Sequence, residues 1–207
     1  MIQPIVEGQG EEKAFPILLR RLLPELGCYL DVGGSPFRSK RTQIVREADF
    51  KTAVQIAASK PGARALLVLF DADADCASSH VPDMLAWARE VVPQVPCGIV
   101  MARREYESWF LAAIESLRGQ HGISQDAVYQ SNPEQVRDAK GAVGGFMPHN
   151  VSYAPTVDQP SLSARFDLGA AYRRASSFRK LVKELCRILE ELGYEPVIPP
   201  DWSREQI

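Results

Sequence analysis

Four short apolar runs, at residues 2–6, 28–32, 65–70 and 97–101, have the length and composition of β-strands. Between them the apolar positions change period. Ala14, Ile17, Leu18, Leu22 and Leu26 recur at steps of three and four, which predicts a helix over 11–26. Glu11 and Glu12 fall in its first turn, where negative charge suits the helix dipole. Further helices are predicted over 46–58, closed by Pro61-Gly62, over 81–91 and over 106–117. The alternation of strand and helix over 1–118 specifies an α/β fold: a mostly parallel four-stranded sheet with helices on both faces. The run 65–70 is apolar at every position, as parallel strands covered on both faces are.

From 119 to 169 the pattern fades into Gly, Pro, Ser and Asn. The stretch exceeds the roughly 12–15 residues of an ordinary loop, so it reads as an insertion or lid with a short helix near 133–140. Helical spacing returns over 177–192, with Phe178, Leu181, Val182, Leu185, Ile188, Leu189 and Leu192 on one stripe. The chain thus divides into an α/β core, 1–118, and a second part, 119–207, made of the irregular insertion and a C-terminal helix packed on the core.

Composition narrows the classes. A chain of 207 residues with 45% hydrophobic and 24% charged residues has the balance of a globular domain. Its net charge of −2 gives no global signal for nucleic acid, so any such contact needs a local basic patch. No apolar run approaches the ~18 residues of a membrane span, and the N-terminus lacks the pattern of a secretory signal. Cys28, Cys76, Cys97 and Cys186 are far apart, with no Cys-x-x-Cys pair, and read as reduced, packed thiols of a cytoplasmic protein. His80, His121 and His149 are equally scattered and read as loop or surface residues.

The acidic residues change the picture most. Val6-Glu7-Gly8-Gln9-Gly10-Glu11-Glu12 follows the first strand, and Asp71-Ala72-Asp73-Ala74-Asp75 follows the third. Carboxylates directly after strands sit at the C-terminal edge of a parallel sheet, where open α/β folds bind ligands. Asp71 and Asp73 alternate and so point to one side. Carboxylates gathered this closely repel unless a cation or protons compensate, and an oxygen-only set suits hard divalent ions, Mg²⁺ above all. Glu12 and Asp75 read instead as helix-dipole and turn residues. Gly8-Gln9-Gly10 lacks the third glycine of a dinucleotide fingerprint and the Gly-Lys-Ser/Thr of a P-loop. Arg38, Lys40, Arg41 and Arg46 form a basic run near the same edge, reinforced by Arg103 and Arg104. It is either a solvated loop or a contact for DNA or RNA phosphates. Trp109 and Phe110 read as core.

Strand-Glu-Gly-x-x-Glu followed by strand-Asp-x-Asp resembles toprim domains, found in topoisomerases, primases and the nuclease domains of OLD (overcoming lysogenisation defect) ATPases. The segment Arg104-Glu105-Tyr106-Glu107-Ser108-Trp109-Phe110-Leu111-Ala112 is similar to one in a small group of standalone toprim-like proteins, often encoded beside an ATPase. Tyr153-Ala154-Pro155-Thr156-Val157-Asp158-Gln159 and Ser176-Ser177-Phe178 are similar to that group's C-terminal part. The resemblance implies Glu7 as metal ligand or general acid/base, and Asp71 and Asp73 as holders of Mg²⁺ or Mn²⁺. It implies Glu11 as support for a second ion, and Glu107, rather than Glu105, as a later ligand. No glycine follows Asp75, and no tyrosine-nucleophile or zinc-binding domain is present, unlike topoisomerases and primases.

The expectation is a metal-dependent nuclease acting on DNA or RNA, with Glu7, Asp71 and Asp73 catalytic and Arg38, Lys40, Arg41 and Arg103 on the nucleic acid. Lys140 in the insertion is a candidate for offsetting transition-state charge. The resemblance implies a setting of phage or mobile-element defence with an ATPase partner. The alternative is a non-catalytic regulatory or binding subunit of such a system. A phosphatase or glycosyltransferase would explain Asp71 and Asp73 but not Glu7.

Overall fold

The computed structural model describes residues 1–72 and 80–203. Four parallel strands form one sheet in the order β2-β1-β3-β4: β1 is Ile2–Val6, β2 Phe37–Arg38, β3 Ala65–Ala72 and β4 Cys97–Arg103. Helices α1 (Glu11–Glu25), α2 (Arg41–Ile44), α3 (Glu47–Ala58), α4 (Val81–Val91) and α5 (Ser108–Ala112) follow in turn around the strands. Then come α6 (Ala139–Gly144), α7 (Pro155–Ser163), α8 (Leu168–Arg174) and α9 (Ser176–Glu191). The fold is α/β, with an all-parallel sheet covered on both faces.

The pleat sorts the core into two. Leu66, Val68 and Phe70 of β3 pack with Ile5 and Ile99 against Phe50 and Val54 of α3 and Met84 and Ala88 of α4. Leu67 and Leu69 point the other way, with Ile2, Val6 and Val100, into a larger core. There α1 contributes Phe15, Leu18 and Leu22, and α9 contributes Phe178, Leu181, Leu185 and Ile188. Trp109 and Phe110 are both fully buried in that core, with Phe178 and Phe166 edge-on to them. Among the described residues no helix is long and apolar enough to cross a membrane.

Residues 28–32 do not form the second strand. They run beside the start of β1, joined by a single bridge between Val32 and Ile2, and the strand proper is Phe37–Arg38. The reason lies in Pro4. Ile2 faces this neighbour, donating to Asp31 O at 2.8 Å and accepting from Gly33 N at 2.9 Å. Backbone groups alternate sides along a strand, so Pro4 faces it next and has no N–H to give. The fully buried Gln3 fills the gap, its Nε2 donating to Pro4 O at 3.1 Å and Ser35 O at 3.0 Å. The ladder resumes where Ser39 N donates to Val6 O at 2.9 Å.

Three other boundaries differ from the sequence reading. The helix expected over 106–117 is broken into α5 and a 3₁₀ turn, Ile114–Leu117. The short helix expected near 133–140 begins at Ala139, where Asp138 Oδ1 accepts from Gly141 N at 2.7 Å as its N-cap. The stretch expected to be irregular also contains α7.

Candidate active site

Parallel strands bring their C-terminal ends to one edge. Val6 stands opposite Arg38 on one side and Leu69 on the other, and Asp71 and Ala72 stand opposite Ala102 and Arg103. Glu7 leaves this edge after β1, and Asp71 lies in the last residues of β3. Beyond β4 the chain turns through Arg104, a non-glycine residue in the left-handed region at φ 71°. That conformation costs of order 1 kcal/mol. It is pinned by Arg104 N donating to Ala72 O at 3.0 Å. The turn brings Tyr106 N onto Asp71 Oδ1 at 2.9 Å and returns Glu105 and Glu107 to the edge.

The loop after β1 closes from the other side. Gly8 N donates to Glu11 Oε2 at 2.6 Å, so Glu11, in the first turn of α1 and 5% exposed, folds back over the loop. Gly10 lets α7 lie directly on that loop. A Cβ there would fall 2.0 Å from Gln159 Oε1 and 2.9 Å from Pro155 O. The result is a cavity of about 400 Å³ lined by Glu7, Glu11, Asp71, Lys140, Thr156 and Gln159 among others.

Glu107 sits behind that cavity, fully buried. Its Oε1 accepts from Tyr153 Oη at 2.9 Å and Gln159 Nε2 at 2.8 Å. Its Oε2 has no hydrogen bond among the described residues and faces Lys140 Nζ at 3.8 Å. The same ammonium lies 2.9 Å from Glu105 Oε1 and 3.9 Å from Asp71 Oδ2. Glu105 Oε2 also accepts from Lys140 N at 3.0 Å, so Glu105 grips Lys140 at both ends.

The charges feel one another. Burial, then the charges of Glu107 and Glu7, raise the Glu11 pKa to about 7, against the pull of Gly8 N–H and Lys140. Burial, then Glu11, raises Asp71 well above the usual carboxylate range. Burial raises Glu107 as well, and Lys140 offsets part of that. Burial alone would lower the pKa of Lys140, but Glu107, Glu105 and Asp71 together raise it, so it stays charged. Burial and the Glu107 charge raise that of the Tyr153 hydroxyl, which therefore remains a donor.

Of the residues singled out in the sequence, Glu7, Glu11, Asp71, Glu107 and Lys140 meet at this edge, while Asp73 lies outside the described residues. Arg41 Nη1 donates to Asp71 O at 3.0 Å, tying the basic run to the acidic strand end. Arg38 lies 3.5 Å from Glu12, and Lys40 and Arg103 are exposed along the same edge. Sequence reasoning assigned no role to Tyr153 or Gln159. The only signal was the Tyr153-to-Gln159 segment itself, similar to a known group but without any chemistry visible in its spacing.

The donor types at this edge are those a hard divalent cation takes. The set is all oxygen, and it includes a buried carboxylate oxygen without a hydrogen bond among the described residues. Among the described residues, no three His, Cys, Asp or Glu side chains are close enough as they stand to enclose an ion. Lys140 occupies the centre of the acids instead. The model of the family described as "Domain of unknown function (DUF4276)" matches residues 6–186, and the chain belongs to that family. No curated protein and no solved structure matches it.

Proposed function

We propose that the protein is a cytoplasmic, toprim-type nuclease that hydrolyses phosphodiester bonds of DNA or RNA with Mg²⁺ or Mn²⁺. One observation carries the reading: four carboxylates from three strand ends and a helix start share one sheet edge with a lysine and a rim of arginines. Glu7, Glu11, Asp71 and Glu107 would hold one or two ions, with Asp73 completing the set. A bound divalent ion supplies an activated water and neutralises charge on the scissile phosphate. Lys140, held by Glu105, stays protonated beside the acids and offers a fixed positive charge to a phosphate oxygen. Arg38, Lys40, Arg41 and Arg103 position the backbone of the strand to be cut. By its resemblance the protein would work with an ATPase in defence against phage or mobile DNA.

The test is purified protein with Mg²⁺ or Mn²⁺, alone and with any neighbouring ATPase, on plasmid, linear, single-stranded and RNA substrates. We expect cutting that is abolished by a chelator and lost in Glu7→Ala and Asp71→Ala. Absence of cutting on every substrate, or a Glu7 variant as fast as wild type, sinks the proposal. The second reading, a binding or regulatory subunit, draws on Lys140: its ammonium already answers the acids without an ion.

A further inference from the structure

Lys140 lines the cavity where a cation would stand, and it is held there unevenly. Glu105 clasps it twice, Oε2 accepting from Lys140 N at 3.0 Å and Oε1 from Nζ at 2.9 Å. An ammonium has three donors, and among the described residues the other two make no hydrogen bond. Glu107 Oε2 at 3.8 Å and Asp71 Oδ2 at 3.9 Å lie beyond that reach and are drawn by charge alone. Glu107 Oε2 is enclosed and faces this same ammonium. Among the described residues no group of three or more His, Cys, Asp or Glu side chains is placed to hold an ion.

We propose that Lys140 is a built-in counter-ion that closes this edge to divalent cations while no nucleic acid is bound. This rests on the metal-dependent reading given above, in which the same ammonium serves a phosphate oxygen. Two positive species compete for the same oxygens. Lys140 is tethered to the chain and clasped by Glu105, so it meets the acids as an intramolecular partner, while an ion must come from solution. An ion approaching Asp71 Oδ2 or Glu107 Oε2 meets a like charge already drawn to both. It also finds no oxygens arranged to replace its water shell. An ordinary structural ion pair would cost stability when cut but leave ion binding as it was.

Mn²⁺ binding to the full chain without nucleic acid, read by its electron paramagnetic resonance signal, separates these cases with no cleavage assay. Lys140→Met keeps the length of the side chain and removes its charge. We expect it to bind Mn²⁺ at least ~10-fold more tightly than wild type, since one neighbouring charge alters even a proton's affinity by that factor or more. It should also melt lower than wild type when no divalent ion is present, and regain the difference when Mn²⁺ is added. Lys140→Gln keeps a donor for Glu105 and carries the test if Lys140→Met does not fold. If wild type binds Mn²⁺ and a folded variant binds it no more tightly, the proposal is overturned while the metal-dependent reading stands. A folded variant that melts as high as wild type without ions overturns it in the same way. Failure of wild type and variant alike to bind Mn²⁺ overturns both.

Discussion

Two buried glutamates, Glu107 at the sheet edge and Glu134 beside α9, are treated in opposite ways. Glu134 is 4% exposed and uses both oxygens. Its Oε2 accepts from Ser176 N at 2.9 Å and Ser176 Oγ at 2.5 Å, and its Oε1 from Ser177 N at 2.7 Å. The two backbone donors are the first N–H groups of α9, which have no partner inside the helix. Burial opposes the charge of Glu134, but the Ser176 and Ser177 bonds overcome it and lower its pKa. Glu107 is more deeply buried, uses one oxygen of two, and has its pKa raised by burial. A carboxylate kept for stability has both oxygens bonded by its own chain. Glu107, which the proposed function gives a chemical role, has one oxygen without a hydrogen bond among the described residues and a neighbour of opposite charge.

The contrast is broken most forcefully by removing each acid in turn. Glu107→Gln should cut nucleic acid at least ~100-fold more slowly, since groups that merely orient metal ligands already cost up to that factor. Its melting temperature without metal should stay level or rise, because a poorly compensated charge is gone. Loss of stability with cutting intact would reverse the assignment. Glu134→Ala should do the opposite. It strips the α9 cap and leaves buried donors unmet, about 2 kcal/mol, or roughly 4–8 °C in melting temperature for a chain of this size. Cutting per folded molecule should be unchanged.

Acidity sharpens the same comparison. A carboxylate whose pKa is lowered on folding contributes stability that is complete above its unfolded pKa, about 4.3, and fades as pH falls through the folded value. The stability gap between wild type and Glu134→Gln should therefore be constant near neutrality and shrink below about pH 4.3. Denaturant titrations at several pH values measure it. A gap that widens on acidification would mean the cap does not depend on the charge. The smallest effect belongs to the rim. Arg38→Ala with Lys40→Ala should leave stability within ~0.5 kcal/mol, as the Arg38–Glu12 pair is solvent-exposed. It should lower the salt dependence of DNA binding by about two phosphate contacts' worth. An unchanged slope would take these two residues off the nucleic acid.

The legible and illegible parts of the fold differ in what they bury. β1, β3, β4, α3, α4 and α9 bury apolar stripes, and their hydrophobic period announces them. α7 buries Asp158, Gln159, Leu162 and Ser163, a mostly polar face, so its period is silent. β2 has two residues, too few for any alternation. The run 28–32 misled because it is apolar enough for a strand, while the decisive residue, Pro4, lies on its neighbour. Glu7 and Asp71 were readable because each sits at a strand's end, whereas Glu107 was named only through the resemblance. Lys140 was readable only as one basic residue in a long loop, and its place among Asp71, Glu105 and Glu107 depends on a fold-back no local pattern encodes.

The chain order of these parts has a consequence for synthesis. All four strands and Glu107 precede Lys140, Tyr153 and Gln159. At typical elongation rates the acids leave the ribosome roughly a few seconds ahead of their partners. Over that interval the carboxylates stand in water, which screens them. Tyr153 and α7, which help to cover them, emerge after α6 and Lys140. The residue that balances the charge is thus made before those that cover it, so synthesis order allows the acids to be paired before they are enclosed.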